Sequence, residues 1–146
     1  MKNEVVVLDT DQKQSRELCQ LLAEHQYETA LLNSLDALDD PLKKSESRAL
    51  IINLDTIPIT NKILREIKRK RPSINIIALS ERQFHPELEE AMRDHISVCL
   101  GKPVESEELI YWLKAVFENG NGIPKWSKYL IFECLFCSFT IKKQIS

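Results

Sequence analysis

Glycine is scarce in this chain, and its scarcity excludes one large group of phosphate-binding proteins. Only 3 of the 146 residues are glycine, and they stand at positions 101, 120 and 122. None lies between an early strand and its helix, where a glycine-rich loop would hold a nucleotide phosphate. The sequence therefore gives no support to a P-loop or dinucleotide-binding protein.

The features of a secreted, disulfide-stabilised protein are also missing. The apolar segment Val5–Leu8 near the start is too short for a signal peptide, and no small-residue cleavage site follows it. The four cysteines are then expected to be reduced thiols in a cytoplasmic protein. Cys134 and Cys137 have CxxC spacing, but no second such pair completes a zinc site, so a metal or redox role is disfavoured.

No large excess of either charge is present, which argues against a nucleic-acid binder. Lys and Arg number 20 against 22 Asp and Glu, for a net charge of -2. The basic run Lys68–Arg71 closes a predicted helix, where cations complement the helix dipole without any partner. With 43% hydrophobic residues the chain can bury a core, and its length fits one domain with a short appendix.

Short apolar runs alternate with amphipathic segments over residues 4–119. The predicted strands are Glu4–Leu8, Tyr27–Leu32, Ala49–Leu54, Ile74–Leu79 and Ser97–Leu100. The predicted helices are Gln12–His25, Ser34–Ser47, Asn61–Arg71, Pro86–His95 and Ser106–Asn119. Short parallel strands need helical crossovers, so the pattern predicts an α/β sandwich of three layers with a five-stranded parallel sheet.

Polar residues follow four of the predicted strands. They are Asp9-Thr10-Asp11, the loop Asn53–Pro58, Ser80-Glu81 and Lys102-Pro103. Since ligands of such sheets collect at the carboxyl ends of the strands, these segments are the candidate site. Each also has a plainer interpretation, because acids cap helices and lie in solvated loops, and for Asp11 the cap is favoured.

Taken in this order, the four segments resemble the site of response-regulator receiver domains of two-component signalling. The resemblance covers about residues 4–119 and implies a flavodoxin-like (βα)5 fold and a signalling role rather than an enzyme. It implies that a histidine kinase phosphorylates Asp55 and that Asp9 and Asp55 hold Mg²⁺. It also implies that Lys102 and Ser80 contact the phosphoryl group.

The chain departs from the family pattern around the metal and the acceptor. Thr10 stands where the family has a second acid, and a hydroxyl is a much poorer ligand for Mg²⁺. The family's aspartate lies four residues before the loop proline, but that position before Pro58 is Leu54. Asp55 fits if the loop is one residue shorter, whereas Asn53 cannot form an acyl phosphate.

Two further departures concern the hydroxyl and the aromatic residue that are usually coupled in the family. Glu81 follows the strand-four hydroxyl where the family has a small residue, and Cys99 replaces the aromatic residue three positions before the lysine. Two versions stay open: a receiver phosphorylated on Asp55 with Mg²⁺, and a pseudo-receiver that acts by protein binding alone. The departures favour the pseudo-receiver. A small α/β nucleotide-binding enzyme is a remote alternative, because this chain lacks a phosphate loop.

Aromatic and histidine side chains on or beside the last two predicted helices include candidates for the protein surface. Tyr111 and Trp112 are adjacent in the final helix, so they cannot both face the core, and we expect an interaction surface there. The face between the last two predicted helices would serve a homodimer or another partner. His85 and His95 flank the fourth predicted helix and are expected at the surface.

Residues 120–146 differ from the rest and are predicted to be a linker followed by an apolar tail. The run YLIFECLFCSFTI, residues 129–141, carries a single charge and is shorter than the roughly 20 residues of a membrane span. An added strand or helix, a weak interfacial membrane anchor, an aggregation-prone segment and a truncated or frame-shifted C-terminus all remain open for it.

Overall fold

The computed structural model describes residues 3–38, 47–82 and 85–118. They form one sheet of five parallel strands in the order β2-β1-β3-β4-β5. The strands are β1 (Asn3–Leu8), β2 (Tyr27–Leu32), β3 (Ala49–Asn53), β4 (Asn75–Ser80) and β5 (Ile96–Gly101). The predicted fold class is thus confirmed, and every strand bound falls within one residue of the predicted one.

Four α-helices connect and flank the strands in the described part of the chain. They are α1 (Gln12–Glu24), α2 (Asn61–Lys70), α3 (Glu89–Asp94) and α4 (Ser106–Glu118). The helix predicted over Ser34–Ser47 appears as a 3-10 turn at Leu35–Ala37, while residues 39–46 lie outside the described residues. The helix predicted from Pro86 starts with a second 3-10 turn, Pro86–Leu88, before α3.

The sheet separates two apolar layers because side chains alternate along each strand. Val5 and Val7 of β1 pack with residues of α1 and α4, such as Leu22 and Leu113. Val6 and Leu8 face the opposite layer, which contains Leu64 of α2 and Ala91 of α3. All five residues of β3 are buried, as expected for a strand between two neighbours and beneath helices on both faces.

Helix ends agree with the capping residues of the sequence. Asp11 accepts a hydrogen bond from the Gln14 amide at 3.2 Å at the start of α1, and Thr60 does the same for Ile63 before α2. At the other end of α2, Lys68 Nζ donates to the carbonyls of Pro72 and Ile74. This cation of the basic run therefore satisfies backbone carbonyls after the helix.

The tail predictions cannot be compared with the fold. The proposed division at residue 119, the linker, the apolar run and the CxxC pair all lie outside the described residues. Within residues 3–38, 47–82 and 85–118, no helix has the length and apolar character needed to cross a membrane.

Candidate functional site

Asp9 follows β1 directly and is buried, with 3% of its surface exposed. Its Oδ1 accepts three hydrogen bonds, from the Asp11 amide at 2.8 Å, Asn53 Nδ2 at 2.9 Å and Thr56 Oγ1 at 3.2 Å. Its Oδ2 is also buried and has no hydrogen-bond partner among the described residues. One oxygen of the carboxylate is therefore saturated with donors, and the other is a buried acceptor without one.

Asn53 is the last residue of β3 and lies at the centre of the site. Its Oδ1 accepts from Lys102 Nζ at 2.7 Å and from the Asp55 amide at 3.0 Å. Because an ammonium group only donates and a carboxylate only accepts, these neighbours fix which way the amide is turned. Asn53 thus bridges the acid after β1 and the lysine after β5. The junction of β1 and β3 is also where the strand order reverses, the usual ligand position in such sheets.

Asp55 lies two residues beyond the strand end and reaches the other half of the site. Its Oδ2 is 2.7 Å from Lys102 Nζ and 3.0 Å from the Glu81 amide, and its Oδ1 is 3.3 Å from Ser80 Oγ. Partial burial by itself raises the pKa of this carboxyl, but the hydrogen bonds from Lys102, Glu81 and Ser80 and the lysine charge outweigh it. The pKa of Asp55 is accordingly lowered from its ordinary value.

Ser80 ends β4 and is held from both sides. Its Oγ accepts from the Arg82 amide at 3.0 Å and lies 2.9 Å from His85 Nε2. The expectation that His85 lies at the surface is wrong, because its side chain is only 4% exposed. The His85 contact with Ser80 Oγ accounts for this burial.

His85 connects this hydroxyl to the outer surface. Its Nε2 also lies 3.2 Å from the Arg82 carbonyl. A carbonyl only accepts hydrogen bonds, so this contact fits the tautomer with the hydrogen on Nε2. Its Nδ1 is 3.6 Å from Glu87 Oε1, which receives a hydrogen bond from Arg82. An open depression of about 400 Å³ lies beside these groups, and Asp55, Arg82 and His85 are part of its lining.

Comparison with known proteins gives a structural likeness without a sequence match. No protein-family model matches the chain, and no curated protein matches its sequence. The signal receiver domain of an HD domain-containing protein from Pseudomonas fluorescens Pf-5 is 21% identical, with a TM-score of 0.72 over 82% of this chain and 97% of that chain. The fold is that of a response-regulator receiver domain.

Two further solved structures with the receiver fold bear on the chemistry of this site. A Burkholderia pseudomallei response regulator, with a phosphorylated aspartic acid, calcium ion and citrate, is 16% identical over 92% of this chain and 74% of that one, with a TM-score of 0.69. A Saccharomyces cerevisiae receiver domain was solved with a histidine phosphotransfer signaling protein. It is 16% identical over 79% of this chain and 88% of that one, with a TM-score of 0.64.

The receiver fold brings the predicted site residues Asp9, Asp55, Ser80 and Lys102 to one edge of the sheet. Asp55 contacts Lys102 and Ser80 directly, whereas Asp9 connects to them through Asn53. Within the described parts of the chain, no group of three or more His, Cys, Asp or Glu is arranged to hold a metal ion. The roles assigned to these residues remain predictions.

Sequence reasoning assigned no role to Asn53 or His85. A signal for Asn53 was available, because it is the polar residue that ends a wholly apolar strand, where a side chain must point into the site. Nothing in the sequence indicated the burial of His85, whose ring contacts Ser80 Oγ and the Arg82 carbonyl.

The predicted interaction surface is divided between core and solvent. Trp112 is 3% exposed and belongs to the core layer beneath α1 and α4, so its assignment to the surface is wrong. Tyr111 is 39% exposed and meets the Trp112 ring edge-on, with 4.9 Å between centroids. Only Tyr111 of this pair is available for a partner.

Burial raises the pKa of Cys99 to about 11, so this thiol stays protonated and is no nucleophile.

Proposed function

We propose that this protein is a signalling module of two-component phosphorelay systems and that it acts as a pseudo-receiver, by protein-protein binding rather than as an enzyme. The receiver fold supports the first part of the proposal. A histidine kinase, or another signalling protein of the relay, is the partner we propose. The pairing of one structural neighbour with a histidine phosphotransfer protein supports this choice. A cytoplasmic location goes with such partners.

One observation carries the pseudo-receiver proposal: Asn53 occupies the end of β3. Its amide lies between the Asp9 carboxylate and the Lys102 ammonium, at 2.9 and 2.7 Å. An amide cannot accept a phosphoryl group as an acyl phosphate. The lysine that would pair with a phosphoryl group is already held by Asn53 and Asp55.

A conventional receiver is the second candidate, and the contacts of Asp55 favour it. This carboxylate meets an ammonium group, a hydroxyl and a backbone amide, which are the donors that phosphoryl oxygens accept from. Its side chain is 23% exposed, so a phosphodonor can reach it. In this version Mg²⁺ would bind near Asp9 and Asp55 and offset the phosphoryl charge.

The deciding experiment is intact mass spectrometry after incubation with acetyl phosphate and MgCl₂. As a pseudo-receiver, the protein should show no phosphoryl adduct while circular dichroism shows that it is folded. An adduct that hydroxylamine removes, and that Asp55→Asn abolishes, would establish the conventional receiver instead. An adduct that persists in Asp55→Asn would place the acceptor elsewhere.

We further propose the exposed side of α4 around Tyr111 as the contact surface for a partner or a second copy. Substitution Tyr111→Ala should weaken self-association or kinase binding, measured by sedimentation velocity and pull-down with the candidate kinase. Lys62→Ala, exposed on α2 at the opposite face of the sheet, is the control. Unchanged binding by Tyr111→Ala would remove this surface from the proposal.

A further inference from the structure

The inner half of the pocket, formed by Asp9 and Asn53, leaves a cation only one oxygen of Asp9, Oδ2, that has no donor among the described residues. Asp9 Oδ1 already receives three donors, and one of them is the Asn53 amide at 2.9 Å. A divalent cation coordinates oxygen atoms that carry no hydrogen directed at it. The N–H groups of Asn53 point toward the carboxylate, and so they compete with a cation for the same acceptor.

Asn53 also satisfies the opposite side of the pocket. Its Oδ1 accepts from Lys102 Nζ, so a single uncharged side chain presents donors to the acid and an acceptor to the lysine. An acid at this position would place two carboxylates at contact distance, both in a buried environment. Like charges this close disfavour double ionisation unless a cation lies between them.

We propose that Asn53 takes the place of a divalent cation in this pocket and makes its assembly independent of one. The inference rests on the receiver-like function proposed above and adds that the site does not need a divalent cation. The buried Asp9 Oδ2, which has no partner in the described chain, is the atom that a cation would bind once position 53 became acidic. One residue therefore decides whether the site is held by an amide or by a metal ion.

The test measures the melting temperature of the full chain in excess MgCl₂ and in EDTA. The wild type should shift by less than about 1 °C. Asn53→Asp should be less stable in EDTA and regain about 5 °C or more with MgCl₂, because a ligand that binds the folded state stabilises it by mass action. Asn75→Asp makes the same change at the start of β4, away from the pocket. It loses the long hydrogen bonds from Asn75 Nδ2 to the Arg48 and Ser73 carbonyls, so the comparison uses its response to MgCl₂, which should equal that of the wild type.

A titration with Mn²⁺, followed by electron paramagnetic resonance, covers the case in which Asn53→Asp does not fold. Asn53→Ala removes the competing donor from Asp9 Oδ1, so it should bind Mn²⁺ about tenfold more tightly than the wild type. Equal affinities would overturn the inference. So would a MgCl₂ shift of the wild type as large as that of Asn53→Asp, or a folded Asn53→Asp that ignores MgCl₂.

These outcomes are separate from the acetyl phosphate experiment. If the wild type is phosphorylated on Asp55, the pseudo-receiver proposal fails whatever the melting temperatures show. If it is not phosphorylated but the wild type binds Mn²⁺ as tightly as Asn53→Ala does, the role given to Asn53 fails and the pseudo-receiver proposal stands.

Discussion

The two aspartates of the pocket are stabilised in different ways, although both lie at the same edge of the sheet. Asp9 is almost fully buried and is held by uncharged donors, all of them on one oxygen. Asp55 is partly exposed, and both of its oxygens are used, one of them by the Lys102 ammonium. In the inner half, Asp9 and Asn53, stability depends mainly on how many donors the carboxylate has. In the outer half, Asp55 and Lys102, solvent screens a charge pair.

This difference predicts how much each half contributes to the stability of the fold. Removing an acceptor from the inner half leaves buried donors unsatisfied, which is costly because water cannot replace it. Removing a charge from the outer half exposes its partner to water, which replaces much of the lost interaction. Four measurements test this contrast, in order of decreasing expected effect.

Substitution Asp9→Ala should cause the largest loss of stability, about 2–3 kcal/mol in the free energy of unfolding. Three donors would lose their acceptor, and one of them, Asn53 Nδ2, is buried, whereas the Asp11 amide and Thr56 Oγ1 are part-buried. Urea denaturation measures the change. Asp9→Asn keeps an acceptor oxygen and is the control, with less than half of that loss. Equal losses would mean that the negative charge of Asp9, and not its hydrogen bonding, stabilises the inner half.

Substitution Lys102→Met should cost about 1–2 kcal/mol, because Asn53 and Asp55 each lose a charged donor but retain backbone donors. Lys114→Met removes an exposed lysine from α4 and should change stability by less than about 0.5 kcal/mol. The pKa of Asp55 should also rise in Lys102→Met, which carbon-13 NMR of its carboxyl group can follow. A Lys102→Met loss greater than that of Asp9→Ala would reverse the contrast between the halves.

The stability that Asp55 contributes should depend on pH. Its pKa is lower in the folded protein than in the unfolded chain, where it is about 3.9. Ionised Asp55 therefore stabilises the fold above that value, and the contribution disappears as pH falls through the folded pKa. The stability difference between wild type and Asp55→Asn, about 1 kcal/mol or less after solvent screening, should be constant near neutral pH and shrink below about pH 4. A constant difference down to pH 3 would contradict this.

The smallest effect is expected from Asp11→Ala, at about 0.5–1 kcal/mol. The Asp11 side chain caps α1, while its backbone amide, which the substitution keeps, donates to Asp9. Thr60→Ala removes the corresponding cap of α2 and should cost a similar amount. A much larger loss for Asp11→Ala would place its side chain in the pocket rather than at the helix end.

The fold was predictable because buried parallel strands leave a clear apolar pattern. Val5, Ile51 and Ile77 lie in uninterrupted apolar runs, and the helices between them carry one-sided stripes such as Leu18 and Leu22. The helix over residues 34–47 was less predictable, because its described start is a 3-10 turn and its polar sequence has no such stripe.

The site was predictable only in part, since its chemistry depends on differences of one or two residues. Counting from Pro58 could not decide between Asn53 and Asp55. The pairing of Asn53 with Leu79 ends β3 at the amide and leaves Asp55 in the loop. Register of this kind arises from contacts between strands and not from the local sequence. The burial of His85 depends in the same way on a tertiary contact, the one between its ring and Ser80 Oγ.

The position of Asn53 at the end of a fully buried central strand has a consequence for amide hydrogen exchange. The β3 strand pairs with β1 on one side and β4 on the other, and all of its residues are covered. Amides in such a strand exchange only when the whole domain opens, whereas edge strands such as β2 exchange through local fluctuations. The centre of the pocket should thus hold its geometry for the lifetime of the folded molecule, with the slowest-exchanging protons of the chain immediately behind it.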